Sequence, residues 1–354
     1  MNLKKIRFIR FIQRISINFF ISTPFTYSFK EKCKIHIKWF LSRFLKKNFF
    51  ITERYRDKFS NNLKNFIIDE SDNVAILIRG PIIEKEDFTL NTIYLYRKYY
   101  PNAPIYISTW DNEKYKLKNL LQDNKTKIIS SKFEKPAIGY GSTNLQIKGN
   151  IQALDVIKKD KIKYTLTSRS DQRFYACNSL KFLKLFLKKF SYKKLNELDQ
   201  QNLRLIALNF NTFMYRLYGL NDMFLFGLTE DVYNYWNTSK DTRKTLNNKS
   251  KKYTMLTYSK DRINEVYFMS EFLNRNGHFL KWNLEDYWKV LSERFIIVDS
   301  SSLDFFWPKY TFKEERWKEY GKEIQFREIS FADWLLIKEN KLQINEDIIN
   351  KPIN

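Results

Sequence analysis

Tyr164-Thr-Leu-Thr-Ser-Arg-Ser-Asp-Gln-Arg173 runs apolar and β-prone, then ends in a knot of charge: Arg169, Ser170, Asp171, Gln172 and Arg173. A strand that delivers a carboxylate between two guanidiniums at its C-terminal end is costly as mere structure. Burying charge costs several kcal/mol unless the charge is paired or metal-bound. In an open α/β sheet, ligands bind in the crevice beyond the carboxyl ends of the strands. An Asp there can hold a divalent cation, and flanking arginines can fork onto phosphate oxygens. The segment therefore suggests a nucleotide-diphosphate site. A surface Asp–Arg pair that closes a strand is the plainer reading of the same residues.

On the N-terminal side, Asn73 to Arg79 is a short continuous apolar run, as in a strand buried on both faces, and Gly80-Pro81 ends it. Glu86 to Tyr99 has helical periodicity. Ile105 to Trp110 and Lys127 to Ser130 read as further strands, with a short helix over Glu113 to Leu121 and a longer one over Asn144 to Lys158. Strands and helices alternating at this spacing predict βαβ units and a parallel sheet. On the C-terminal side, Lys181 to Leu203 reads as a helical insertion with a solvated basic face. Leu203 to Phe213 and Asn221 to Gly227 read as strands, and Thr229 to Trp236 as a helix capped by Thr229. Helices over Arg262 to Asn274 and around Leu284 to Leu291 precede a last strand, Arg294 to Asp299. The tail after Ile337 is polar and is expected at the periphery.

The chain of 354 residues is 43% hydrophobic and 17% aromatic, with only 8 Gly and 7 Pro, which excludes a disordered or collagen-like chain. Two cysteines and two histidines leave no disulfide framework, zinc site or Cys-His nucleophile pair. Neither a Gly-x-Gly-x-x-Gly fingerprint nor a P-loop is present. The formal net charge is +24, so the chain attracts anions. Much of that charge lies in residues 1–58, where Arg7, Arg10 and Arg14 share one helical stripe and Trp39, Phe40 and Phe44 alternate with lysines. The apolar run is too short to span a bilayer and lacks a cleavage site. This basic amphipathic arm suits an anionic membrane surface, or a helical hairpin packed on the body. No motif supports nucleic-acid binding.

Several segments together resemble the WavE lipopolysaccharide synthesis family. They are Ile78-Arg-Gly-Pro-Ile82, Ser108-Thr-Trp110, Asn144-Leu-Gln-Ile147, Thr167 to Arg173, Asn221-Asp-Met-Phe224 with Gly227, and Glu265-Val-Tyr267 followed by Gly277. They fall in the family's order from about residue 72 to about residue 310. The resemblance implies a GT-A-like nucleotide-diphospho-sugar transferase fold, α/β with a mostly parallel central sheet. It would comprise a donor-binding half at 72–175, the insertion at 176–203, an acceptor-side half at 204–312 and a tail at 313–354. It also implies transfer of a sugar from a nucleotide-sugar donor to a lipopolysaccharide, capsule or other glycan acceptor at the cytoplasmic face of a bacterial inner membrane. Arg169 stands where an Asp-x-Asp motif would have its first acid, and Leu145 where relatives carry Arg.

On this reading Asp171 holds a divalent metal, Mn2+ or Mg2+, and Arg169 and Arg173 meet the diphosphate. Gly80 and Pro81 shape the turn beneath the nucleotide, Trp110 stacks on the base or sits in the rim, and Asn144 and Gln146 line the donor site. Asp222 and Glu265 are the candidate catalytic carboxylates, with Glu265 favoured because it opens a helix. A membrane-docked scaffold without activity and a basic nucleic-acid-binding protein are the readings from other classes.

Overall fold

The computed structural model describes residues 71–120, 124–133, 139–243, 253–307 and 324–353. The chain divides into two compact units, Met1–Lys58 and Phe59–Asn354, and all described residues belong to the second. The arm expected over residues 1–58 lies outside them.

Seven strands form the central sheet: β1 (Val74–Arg79), β2 (Ile105–Trp110), β3 (Thr126–Ser131), β4 (Tyr164–Arg169), β6 (Leu205–Leu208), β7 (Leu225–Leu228) and β8 (Phe295–Val298). Their order is β3-β2-β1-β4-β7-β6-β8. All are parallel except β7, which runs against both β4 and β6. The mostly parallel α/β sheet expected from the alternation is therefore present. β1, β6 and β8 are short and mostly apolar because both faces are covered, and every residue of these three strands is buried. A two-stranded ribbon joins β5 (Arg173–Phe174) to β9 (Phe305–Phe306).

The chain moves outward from β1 to β2 to β3, then returns to lay β4 against the other side of β1. Right-handed crossovers then put helix α1 (Phe88–Tyr99) and helix α2 (Thr143–Lys159) on opposite faces. The reversal makes the gap between the C-terminal ends of β1 and β4 a topological switch point, where open α/β sheets hold ligands. Register sets the residues there: Arg79 pairs with Arg169 on one side and with Ser108 on the other.

The remaining helices are α3 (Ser179–Lys189), α4 (Thr229–Trp236), α5 (Met255–Lys260), α6 (Asn264–Arg275), α7 (Leu284–Arg294), α8 (Phe331–Lys338) and α9 (Asp347–Asn350). Three expectations change. The basic insertion is helical only to Lys189, because beyond it Asp199 ties the backbone of Leu195 and Gln201 and pairs with the buried Arg294 at 3.0 Å. Thr229 does not cap α4. Its hydroxyl donates to the carbonyl of Ile162 at 2.6 Å and bonds Thr165 across the sheet, while the first-turn Asp231 turns back to the backbone of Asn202 and Leu203. The C-terminal segment is not peripheral either. Trp334 is fully buried with its indole donating to Leu291 and Phe295, and Ile348 and Ile349 enter the same core as β1.

Candidate active site

A cleft of about 170 Å³ opens over the C-terminal ends of β1, β2 and β4. Gly80, Pro81, Trp110, Gln146 and Arg169, five of the residues singled out in the sequence, line it together with Arg79 and Thr109. Gly80 leaves β1 with φ +119, a conformation that side chains rarely adopt, and a Cβ there would stand 2.9 Å from the Ser170 hydroxyl. That hydroxyl donates to the carbonyl of Pro81 at 2.6 Å and so clamps the β1 turn to the β4 turn. Trp110 is half-buried and meets Phe133 edge to face at 5.3 Å, which fixes one wall of the cleft.

Arg169 and Asp171 form a forked ion pair, Nε to Oδ1 and Nη2 to Oδ2, both at 2.8 Å. Both side chains are partly exposed, Arg169 lines the cleft, and Arg169 also stacks over Trp307 at 5.2 Å. A divalent metal at Asp171 would find both carboxylate oxygens already accepting from a guanidinium. Among the described residues no group of three His, Cys, Asp or Glu side chains is placed to hold a metal. In this arrangement a metal at Asp171 would have to displace Arg169.

Two of the expected donor contacts are committed elsewhere. Arg173 is buried: its guanidinium donates to Thr92, Tyr175 and the carbonyl of Phe88 and lies 4.3 Å over the Phe88 ring. The turn after Asp171 sends Arg173 under α1 instead of into the cleft, so it is a structural residue. Asn144 exchanges hydrogen bonds with the backbone of Asp241 at 2.9 and 2.8 Å and so anchors the loop that follows α4.

Asp222 and Glu265 come together from distant parts of the chain. Because β7 is antiparallel, the turn before it lies at the C-terminal edge of β4, where the Asp222 carbonyl accepts from Arg79, a residue that lines the cleft. Asn221 holds that turn, accepting from the amides of Met223 and Phe224 at 2.9 Å. Asp222 is 5% exposed. Burial, and then the charge of Glu265, push its carboxyl up to about 6, against the opposing pull of Arg79 and Gln146. Glu265 sits in the first turn of α6 and accepts from Asn211 Nδ2 at 2.5 Å.

The residue assigned no role in the sequence reading is Arg79. Its guanidinium lies 4.6 Å over Trp236, donates to Gln146 Oε1 at 3.1 Å and to the Asp222 carbonyl, and leaves a buried Nε unpaired. Burial lowers its pKa to about 10. An arginine directly before a strand-ending Gly-Pro was the available signal. Asn211 and Arg216 were also missed: Arg216 is buried and bonds Asn211, which in turn holds Glu265. Asn211 lies in the stretch read as a strand, where a turn residue with φ +62 was not foreseen, and Arg216 lies in the segment between the two expected strands, to which no role was given.

No family model matches the chain, and no curated protein matches it, so the WavE resemblance rests on the residues quoted above. Solved structures with partial likeness include HddC from Yersinia pseudotuberculosis complexed with GMP-PN, at 12% identity and TM-score 0.27, over 45% of this chain and 78% of that one. Another is a glycosyltransferase involved in the glycosylation of the major capsid of PBCV-1, at 11% identity and TM-score 0.25, over 46% of this chain and 65% of that one. Likeness at this level does not bear on function.

Proposed function

We propose that the protein is a glycosyltransferase that moves a sugar from a nucleotide-diphosphate donor to a glycan acceptor, of the cell-surface kind that the WavE resemblance implies. The observation that carries this reading is a cleft at the switch point that presents Arg169, beside which Asp222 interacts with the cleft residues Arg79 and Gln146 and with Glu265. Arg169 suits an anionic leaving group and the two carboxylates suit proton removal.

The donor diphosphate lies along the β1 and β4 turns against Arg169, with the base beside Trp110. Arg79 acts beneath it as a positioning residue, locking Gln146 on α2 to the Asp222 turn. As the acceptor oxygen bonds the anomeric carbon, the bond from that carbon to the diphosphate breaks. The acceptor proton passes to the carboxylate pair, where Glu265 is the more accessible member, and the departing charge is offset by Arg169. Asn211 keeps Glu265 in place.

The test is a thermal-shift series with nucleoside diphosphates, followed by mass detection of transfer from the nucleotide sugar that binds. A donor at a hundred times its Kd should stabilise the fold by about 2.7 kcal/mol. A chain that responds to no nucleotide would be a scaffold. One that instead binds oligonucleotides with a steep salt dependence would be a nucleic-acid binder.

A further inference from the structure

Away from the cleft, a second surface combines exposed apolar side chains with lysines. Phe279 is 84% exposed, Leu198 68% and Leu195 41%. They come from two loops that are fastened together. Asn196 Nδ2 donates to the carbonyl of Asn276 at 3.0 Å, and the amide of Gln200 donates to Asn276 Oδ1 at 3.0 Å. Gly277 leaves so little room that a Cβ there would lie 3.0 Å from that of Leu198. Phe279 is held out from a firm base, since the next residues lead to Tyr218 and Asp286, and His278 bonds Asp286 at 2.9 Å. Exposed Lys193, Lys194 and Lys281 flank the three apolar side chains, with Glu197 as the acid within the same loop.

Solvated loops do not ordinarily hold a Phe and two Leu outward in a fixed arrangement, and exposed lysines in the same two loops favour an anionic partner. A second copy of the chain would bring the same positive charge, against a formal net charge of +24. We propose that this patch docks the protein on an anionic lipid bilayer, with Phe279, Leu195 and Leu198 entering the headgroup boundary and the lysines meeting lipid phosphates. Its place in the fold suits that role. Asp199, beside the loop, pairs with Arg294 at the start of β8, so the patch lies at the N-terminal edge of the parallel strands. The cleft is at their C-terminal edge, so docking leaves its mouth open. This inference does not depend on the glycosyltransferase reading.

The experiment uses the full chain with phosphatidylglycerol vesicles and, as control, phosphatidylcholine vesicles. Hydrogen exchange at residues 193–199 and 276–281 should slow on the anionic vesicles only. The double substitution Leu198→Ser, Phe279→Ser should weaken vesicle partition roughly tenfold or more, with an unchanged Tm because both side chains are exposed. Unprotected loops, even on a chain that sediments with vesicles, would overturn the proposal, as would a double variant that partitions like wild type. Self-association in solution that the double substitution abolishes would assign the patch to a second copy and also overturn it.

Discussion

Asp222 is a buried carboxylate beside the cleft residues Arg79 and Gln146. Its carboxyl is held at about 6 by burial and by Glu265, against roughly 4 in an unfolded chain. Between those values the folded protein keeps a proton that the unfolded chain has released, so this group makes stability fall as pH rises from about 4 to about 6. Asp222→Asn removes that dependence. Relative to wild type, its Tm should gain roughly 5 °C on going from pH 4 to pH 7; a constant difference across that range, measured by calorimetry, would contradict the placement of Asp222. On the proposed reading the same ionisation limits catalysis, so turnover should drop below about pH 6 as Asp222 takes up a proton. Glu265→Gln should lose at least ~10²-fold in turnover with donor affinity kept. Equal, mild losses in Glu265→Gln and Asp222→Asn would mean that neither is the base and would favour a retaining mechanism. Both carboxylates were legible in the chain as candidates. Their coupling was not, since 43 positions separate them (265 − 222) and only the antiparallel β7 brings that turn to the C-terminal edge of β4.

At the level of elements, the β1 and β4 turns act as one unit. Ser170 binds the Pro81 carbonyl, and Gly80 takes a backbone conformation that other residues resist. Gly80→Ala combines that strain with a 2.9 Å approach to the Ser170 hydroxyl. It should cost about 1–2 kcal/mol of stability and weaken donor binding, read by denaturant titration and by thermal shift. Gly80→Ala with wild-type stability and donor affinity would separate the two turns. The β4 turn also presents the Arg169–Asp171 fork. Asp171→Ala frees the guanidinium from its aim, so transfer should collapse while Tm moves little. A well-folded Asp171→Ala protein with full activity would remove the cleft's role. Strand ends were readable here because apolar runs stop at Gly-Pro and at charge. The helix expected through Leu203 was not, because its end is imposed from outside by Asp199 and Arg294.

Across the whole molecule, the sheet gathers guanidiniums at the ends of β1 and β4, and on the proposed reading the donor phosphates rest on Arg169. Arg79 and Arg169 stand side by side at the edge of the paired strands β1 and β4, and the described residues hold no three-ligand metal group. Donor affinity should therefore be almost unchanged by a chelator and should fall by at least about tenfold in Arg169→Ala, a charge-assisted contact being worth ~1.5–3 kcal/mol. A donor that binds only with added manganese would show that a metal displaces Arg169 from Asp171. Nucleotide titrations with and without EDTA make the comparison.

The order of strands and helices, the parallel sheet and the charged end of β4 were determined by the sequence alone, because each depends on local periodicity and on where apolar runs stop. Gly80, Pro81, Trp110 and Arg169 were legible as companions because they lie at the ends of apolar runs that a parallel sheet gathers at one edge, whereas Gln146, on α2, was pointed to only by the family resemblance. The tertiary structure alone decided which charges face the cleft. Arg169 and Arg173 are four residues apart and chemically alike, yet one forks onto Asp171 at the cleft and the other is consumed beneath α1. Arg79 gained its place because the register of β1 with β4 and the packing of Trp236 close around it. Local pattern records that a residue ends a strand. Which way its side chain then turns depends on what packs above it, and for Arg79 those partners, Asp222 and Trp236, come from more than a hundred positions away.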